Sequence, residues 1–573
     1  MSKKIIRRPE KKADLPGISP LLQRLYAARD VQTMADIDRS LSALLPYQHL
    51  RDIDKAVARL VFAILNDEKM LVIGDFDADG ATSTALAVAA LRAFGAKNVD
   101  FLVPNRFTFG YGLTPGIVDL AVKTKSPHLI ITVDNGIASM DGVARANQFN
   151  IDVLVTDHHL QGKELPNACA IVNPNRKEDG FQSKALAGVG VIFYVMLALR
   201  AKLEADNYFV ERNMPKPNMA EFLDLVALGT VADVVPLDKN NRILVHQGLM
   251  RIRAGLARPG IRALLQVAGR SFEKIAAMDL GFSVGPRLNA AGRLDDMSLG
   301  IYCLLENNPD VALQRARALD ELNIERRAIE TEMKDQAFVI VDRLDLQKKL
   351  PIAITLYDET WHQGVIGLVA SRVKDKLNRP VIAFAKADEN IIKGSARSVK
   401  NVHIRDVLDA IATQHPHLLS KFGGHAMAAG LSIEAKNLAE FSCVFEEVVS
   451  KIVSVDELCH VIETDGELLP TELTLQNAEL MTDAGPWGQQ FPEPLFDGEF
   501  TVISQRLVGE KHLKMTLKPV DGAYSVEAIA FQVDLKAWPN YRCERVKVVY
   551  RLDRNEFRGV ASLQLLVDEL IAV

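Results

Sequence analysis

The sequence predicts an α/β protein: a doubly wound parallel sheet, a helical connector, a second, smaller α/β domain and a C-terminal β-barrel. Three observations predict it. Short apolar runs alternate with helical segments from about residue 70, a Leu-, Ala-, Arg- and Glu-rich stretch follows residue 241, and β-patterned segments dominate beyond about residue 460. At 573 residues the chain is several times the length of one domain, so about three or four units are expected.

Met70–Gly74, Val99–Val103, Leu129–Val133, Val153–Thr156 and Ala170–Val172 read as buried strands, because continuous apolar runs of this length suit a sheet covered on both faces. Ala81–Phe94, Pro115–Lys123 and Met140–Gln148 carry helical spacing between them, which completes a βαβ series. Arg242–Leu265 and Pro309–Leu344 read as connector helices, interrupted by the glycine-containing segment Gly281–Asp296. Strands near Ile352–Tyr357 and Val381–Ala385, with helices near Ile366–Leu377 and Ile404–Thr413, begin the second alternation. Phe500–Leu507, Leu513–Leu517, Val546–Leu552 and Ser562–Val567 fit a small barrel of the OB type, with a sandwich as the alternative.

Apolar residues at 48% and charged residues at 25% are ordinary globular values, which excludes collagen-like and low-complexity architectures. Five scattered cysteines, never in a CxxC pair, argue against a disulfide framework or a structural zinc site and suit a reducing cytoplasm. The N-terminus is basic without a signal-peptide apolar stretch, and no run of membrane-spanning length follows, so secretion and membrane insertion are not expected. The net charge of −5 means that any grip on a polyanion must come from local basic patches. The basic arm Lys3–Lys12 reads as a solvated tail more readily than as a nucleic-acid contact.

The densest chemical signal is Gly74-Asp75-Phe76-Asp77-Ala78-Asp79-Gly80, between a strand and a helix. Residues beyond the carboxyl ends of strands line the ligand crevice of an open α/β sheet. Any one of these aspartates could equally be a helix cap. Two more strands end alike, in Asp134-Asn135-Gly136 and in Asp157-His158-His159, and capping does not explain that coincidence. A fourth contribution is Asp233 in the apolar stretch VADVVPL, where a buried charge requires a partner. Carboxylates and imidazole without thiols suit Mg²⁺ or Mn²⁺. Two such ions about 3.5–4 Å apart would serve phosphoester hydrolysis.

GDFDADG, DNG, DHH and GTVADVVPL resemble the four successive motifs of the DHH phosphoesterase superfamily. GPRLNAAGRLDD (Gly285–Asp296), GSARS (Gly394–Ser398) and FGGHAMAAG (Phe422–Gly430) narrow the resemblance to the RecJ single-stranded-DNA exonucleases, over nearly the whole chain. It implies an N-terminal arm (1–49), a DHH domain (50–240), a connector (241–348), a DHHA1 substrate-binding domain (349–456) and an OB-like domain (457–573). It implies that Asp77 and Asp79 each serve a metal, that Asp134 bridges two divalent ions (Mn²⁺ or Mg²⁺), that His158 and Asp233 complete the coordination, and that His159 faces the phosphate. Ile73 stands where many superfamily members have a histidine, so one metal is held more weakly or Asp75 compensates.

Arg287, Asn289 and Arg293 lie among small residues that would let guanidiniums approach a phosphodiester, although a salt-bridged connecting loop explains them equally well. Gly424 and His425, in a stretch that could also be a tight packing site, resemble substrate contacts of the accessory domain, with Ser395 and Arg397 as companions at the terminal nucleotide. Lys511, His512, Lys514 and Lys518 are barrel candidates for an unpaired strand or an ordinary charged face, while Trp361 and His362 are ambiguous, since either could simply pack against the helix that follows, and Trp361 is not assigned a stacking role.

The implied activity is degradation of single-stranded DNA from the 5′ end to 5′-mononucleotides, in recombination and repair, alongside a single-strand-binding protein and a helicase. The alternatives are a phosphodiesterase of short oligonucleotides or small phosphate compounds, and a non-catalytic DNA-binding scaffold.

Overall fold

The computed structural model describes residues 4–105, 108–346, 350–419 and 421–573. Lys3 and the expected connector boundary at 348–349 lie outside the described residues. The chain divides into two compact units. One comprises Ile6–Asp320 and Glu463–Val573, the other Met1–Ile5 and Glu321–Ile462. The division falls inside a single long helix, Pro309–Leu346.

In the first unit, β1 (Met70–Gly74), β2 (Val99–Leu102), β3 (Leu129–Val133), β4 (Asp152–Thr156) and β5 (Ala170–Val172) form a fully parallel sheet in the order β2-β1-β3-β4-β5. Every residue of β1 and β3 is buried, because helices cover both faces. The crossovers include α1 (Ala78–Ala93), α2 (Pro115–Thr124) and α3 (Met140–Gln148). On one face Ile73 packs with Leu71, Ile117, Ile130, Val143 and Val155. A side chain of that size, fully buried, contributes roughly 1.5–3 kcal/mol. On the other face α1 packs against α4 (Gly188–Ala205) and α5 (Leu223–Ala232), both apolar nearly all round. The strand order reverses between β1 and β3, and that switch point is where an open sheet offers a crevice beyond its carboxyl ends.

The segment Gly281–Asp296 does not interrupt the connector, as its glycines suggest it should. Residues Leu280–Val284 form a π-helical turn that runs into α6 (Gly285–Leu294). Gly292 abuts the Phe76 carbonyl and leaves no room for a Cβ, so glycine serves close packing here rather than a chain break.

The same unit contains a closed barrel of five strands, Phe496–Val508, His512–Pro519, Val526–Ala530, Arg545–Phe557 and Val560–Ala572, ordered first-second-third-fifth-fourth. The third and fifth strands pair in parallel and the other pairs are antiparallel, which is the OB arrangement rather than a sandwich. Val526–Ala530 had no counterpart among the expected strands.

The basic arm is not a solvated tail. Lys4–Arg7 is a strand paired with Val461–Thr464, and Arg7 and Arg8 pair with Asp497, Glu463 and Asp465.

The second unit carries a mixed sheet built from Ile354–Tyr357, Val381–Lys386, Ile391–Arg397, Lys421–Gly424 and Ala428–Glu434. Ile382, Phe384, Phe441 and Phe445 anchor its core. Trp361 is buried, and its indole N–H donates to Gln336 Oε1 at 2.8 Å, which fixes it as a packing residue. No helix is long and apolar enough to cross a membrane among the described residues.

Candidate metal centre

Three strand ends and one helix end deliver the site. After β1 the chain turns through Asp75 and Phe76 into α1, where Asp77 is the N-cap and its Oδ1 accepts from Gly80 N at 3.0 Å. Asp79, in the first turn, is 1% exposed, and its oxygens accept from the first amides of α4, Gly188 N at 2.6 Å and Val189 N at 3.0 Å. After β3, Asp134 takes a left-handed backbone (φ 61°), a conformation Asp tolerates better than most residues. Asn135 locks the turn by donating to Ile73 O at 3.1 Å and Val133 O at 2.9 Å, across the switch point. A Cβ on Gly188 would lie 2.6 Å from that of Asp134, so only glycine lets α4 start there.

After β4, Asp157 accepts from His158 N at 2.7 Å, His159 N at 3.1 Å, His159 Nδ1 at 2.7 Å and Ile137 N at 2.9 Å. His158 Nε2 lies 3.1 Å from Asp134 Oδ1 and 3.5 Å from Asp233 Oδ2. Asp233 caps the C-terminal end of α5. VADVVPL is not buried throughout, since Val234 is 63% exposed and the Asp233 side chain 22% exposed. Asp233 Oδ2 is nevertheless enclosed.

All seven residues expected at the centre therefore converge: Asp75, Asp77, Asp79, Asp134, His158, His159 and Asp233. Their donor atoms form three groups, each within 4.8 Å: Asp75, Asp77 and Asp134; Asp79, His158 and Asp233; Asp134, His158 and His159. The first two suggest two adjoining cation positions, with Asp134 between them. Asp75 offers an oxygen to the first group, while Ile73 packs in the apolar cluster and offers no donor.

The electrostatics fit cations. Burial raises Asp79 to about 7, helped by the Asp77 charge and opposed by the two α4 amides. Burial and the neighbouring carboxylates hold Asp134 and Asp233 well above the usual carboxylate range. Asp134 Oδ1 and Asp233 Oδ2 are enclosed and accept no hydrogen bond among the described residues. Among the described residues no lysine or arginine pairs with Asp77, Asp79, Asp134 or Asp233. Enclosed carboxylate oxygens of like charge around one imidazole fit hard divalent ions, which would supply the missing positive charge. His159 differs: burial opposes its charge, but the Asp157 hydrogen bond and the charges of Asp157, Asp75 and Asp77 raise it to about 9.

Four residues that sequence reasoning did not single out support the centre. Asp157 orients both histidines. Asn173 Nδ2 donates to His159 O at 2.9 Å and Asn175 Nδ2 to His158 O at 2.5 Å, and the Tyr111 hydroxyl lies 3.2 Å from both ring nitrogens of His159. The first aspartate of DHH was a visible signal. The asparagines of VNPN and Tyr111 carried none, because their role depends on β5 lying beside β4 and on the loop before α2.

The expected substrate residues fall into two places. Asn289 Oδ1 accepts from Ala78 N at 2.8 Å, tying α6 to the acidic loop. Arg287 is 8% exposed and committed to Asp320 Oδ1 at 2.8 Å and Ser283 O at 2.5 Å, so its guanidinium braces the helix. Arg293, on the same helix, is half-buried. In the second unit Arg397 Nη1 donates to Ser395 Oγ at 3.0 Å, and both side chains lie over Gly367 near the start of helix Ile366–Leu377. Ala428, the register partner of Arg397, closes the turn begun by Gly424 (φ 147°) and His425, whose N–H donates to Ala428 O at 2.8 Å. Ser395, Arg397, Gly424 and His425 are thus neighbours beside a helix N-terminus, an arrangement suited to an anion. Lys514 pairs with Glu527 at 3.1 Å on the barrel, and His512 packs on Phe531.

Known proteins match this geometry. Family models describe residues 69–230 as the DHH family N-terminal domain, 347–451 as a DHHA1 domain and 464–569 as the RecJ OB domain. The chain is 52% identical over 566 residues to the single-stranded-DNA-specific exonuclease RecJ of Escherichia coli, covering 98% of each. It is 52% identical over 571 residues to that of Haemophilus influenzae, covering 99% of each. The crystal structure of Thermus thermophilus RecJ in complex with Mn²⁺ superposes with a TM-score of 0.79 at 28% identity, over 98% of this chain and 79% of that one. With the identity to the first two relatives over its full length, and with the paired cation positions at the sheet's switch point, this chain belongs to the RecJ family of single-stranded-DNA-specific exonucleases.

Proposed function

We propose that the protein hydrolyses single-stranded DNA from the 5′ end, releasing 5′-mononucleotides, with two Mn²⁺ or Mg²⁺ ions as cofactors. The observation that carries this reading is the convergence of Asp75, Asp77, Asp79, Asp134, His158 and Asp233 into two adjoining donor sets sharing the Asp134 region. Asp75, Asp77 and Asp134 would hold one ion, and Asp79, His158 and Asp233 the other. Bound there, the pair supplies Lewis acidity for activating water and neutralising the phosphate and the leaving oxygen.

The chain's own residues do the rest. Asp157 fixes the His159 ring, whose charge at neutral pH suits a phosphate oxygen. Asn289 holds the acidic loop in place, Arg287 braces α6, and Arg293 on that helix is the cation for the DNA backbone. Ser395, Arg397, Gly424 and His425 take the terminal nucleotide. The barrel, through Lys511, His512, Lys514 and Lys518, holds the strand further along. The enzyme works in the reducing cytoplasm, in recombination and repair, with a single-strand-binding protein and a helicase as partners.

The test uses single-stranded and duplex DNA labelled at either end, incubated with Mn²⁺ or Mg²⁺ and sized over time. Mononucleotides released first from the 5′ label of single strands support the reading. Preference for dinucleotides, or cleavage unchanged in Asp77→Ala and Asp134→Ala, would overturn it.

A further inference from the structure

One cavity of the first unit shares no residue with the metal centre or with the groups assigned to DNA. Its volume is about 330 Å³, and it opens between α4, the residues leading into α5 and the turn-rich segment 41–48. The first amides of α4 serve Asp79, and the cavity lies further along that helix, from Phe193 to Ala201. All of these residues belong to one compact unit.

The walls are mostly apolar. Phe193, Leu197 and Ala201 recur at every fourth position of α4 and so share one face, which Met219 and Leu223 continue. Leu44 and Tyr47 stand on the other side. Side chains that face a cavity instead of a neighbour forgo dispersion contacts, which the apolar body of a ligand would restore.

Two donors fix the polarity of what fits. The one charged group in the lining is Arg200, three positions after Leu197 and on the same face of α4. Its Nε is enclosed and meets no acceptor among the described residues, while Glu204, one turn on, is paired with Lys216 Nζ at 2.7 Å. Behind the wall, Asn240 is almost fully buried. Its Oδ1 accepts from the Tyr194 hydroxyl at 2.9 Å and from Leu45 N at 3.1 Å, both in the lining, and its Nδ2 is enclosed without an acceptor among the described residues. Enclosed donors without acceptors are costly, and a ligand oxygen would answer them. A lone cation balances a monoanion and leaves a phosphate dianion half-neutralised, and the planar fork of a guanidinium matches the two oxygens of a carboxylate. Among the described residues no carboxylate, imidazole or thiol lines the cavity, so it is built to bind and not to transform.

We propose that this cavity is a binding site for a small organic monocarboxylate with an apolar body, its carboxylate on Arg200 and its body against Phe193, Leu197 and Leu223. Small-molecule sites have this character: an apolar concavity of a few hundred Å³ with a few placed polar groups.

The experiment titrates the full-length, metal-free chain with phenylbutyrate and with its neutral amide by calorimetry. The parent should bind phenylbutyrate at one site per chain and the amide at least about 5-fold more weakly. Arg200→Gln should weaken binding of the acid about 5- to 10-fold and leave the amide nearly unchanged, and Arg200→Lys should recover part of the loss. Ala201→Phe, which fills the cavity, should abolish binding of both. Arg200→Gln should melt with the parent, because no ion pair of Arg200 is lost among the described residues. If Ala201→Phe does not fold, the contrast of acid with amide in the parent and in Arg200→Gln decides. No saturable binding by the parent, equal affinity for acid and amide, acid binding unchanged in Arg200→Gln, or binding retained in a folded Ala201→Phe would overturn the proposal.

Discussion

Two sets of buried aspartates in the same compact unit are treated in opposite ways. Where the N-terminal arm meets the barrel, Asp465 is 2% exposed and takes a two-pronged pair from Arg29, with Nη1 to Oδ1 at 2.9 Å and Nη2 to Oδ2 at 2.8 Å. Asp497 is paired with Arg7 and accepts from Thr464. Burial alone would raise its pKa, but these partners hold it below the usual range. At the switch point, Asp79, Asp134 and Asp233 are as enclosed at their inner oxygens, yet among the described residues no guanidinium or ammonium pairs with them and their pKa values rise. The lesson is that burial does not separate a structural carboxylate from a functional one. The charge that answers it does: one set is satisfied by the chain, the other is left for ions from solution.

The largest test of that contrast removes one carboxylate from the centre. Asp134→Asn should lower nuclease turnover by at least about 10²- to 10³-fold, since in its proposed role as a shared metal ligand its loss would exceed the cost of losing a supporting residue. The same substitution should leave the metal-free protein as stable as the parent or more so, because it relieves like-charge repulsion. A metal-free melting point that drops sharply would contradict this account.

Next, Arg29→Ala should do the reverse, costing about 3–5 kcal/mol of stability by stranding Asp465, with turnover per folded molecule retained. Arg7→Ala should cost only about 1–2 kcal/mol, because that guanidinium is 53% exposed and screened. Denaturant unfolding with activity measured on the folded fraction checks both, and equal costs for the two would break the distinction.

The pH dependence follows the same division. Asp79 is raised from 3.8 to about 7, so the native state holds its proton longer than the unfolded chain does. Stability of the metal-free protein is then greatest below about 4 as far as this group is concerned, and is lost as pH rises through about 7. Thermal melts from pH 5 to 8 should show this decline, and saturating Mn²⁺ should flatten it by supplying the counter-charge.

The smallest effect is at a supporting residue. His159 is raised from 6.5 to about 9, so its cation persists through neutral pH and is lost above about 9. Asp157→Asn should lower turnover about 10- to 100-fold and move the alkaline limb of the pH–rate profile down toward the ordinary histidine range. A limb that stays in place would show that Asp157 does not set the charge of His159.

Much of this was legible beforehand for definite reasons. β1, β3 and β4 are largely apolar runs, each followed at once by an aspartate, so the strands and the acidic motifs announced one another. The long helix from Pro309 and the barrel strands were visible from periodicity. Three features were not visible. The glycines of Gly281–Asp296 suggested a broken chain, but they are contact points inside helices. The sequence left Arg287 open between a phosphate contact and a salt bridge, because its carboxylate neighbour in the structure, Asp320, lies thirty-three positions away. The basic arm looked solvated because the carboxylates that capture it lie more than four hundred residues downstream.

By itself the sequence determined which groups of atoms are available: carboxylates and imidazoles at strand ends, without thiols, on an α/β frame of one family. Periodicity and local composition carry that information because a strand or helix is specified by near neighbours. Which aspartates would be answered by arginine and which left open, and that Arg287 should brace a helix against Asp320, were decided only by tertiary structure. Such outcomes depend on distances between side chains remote in the chain, and Coulomb and packing energies are functions of those distances alone.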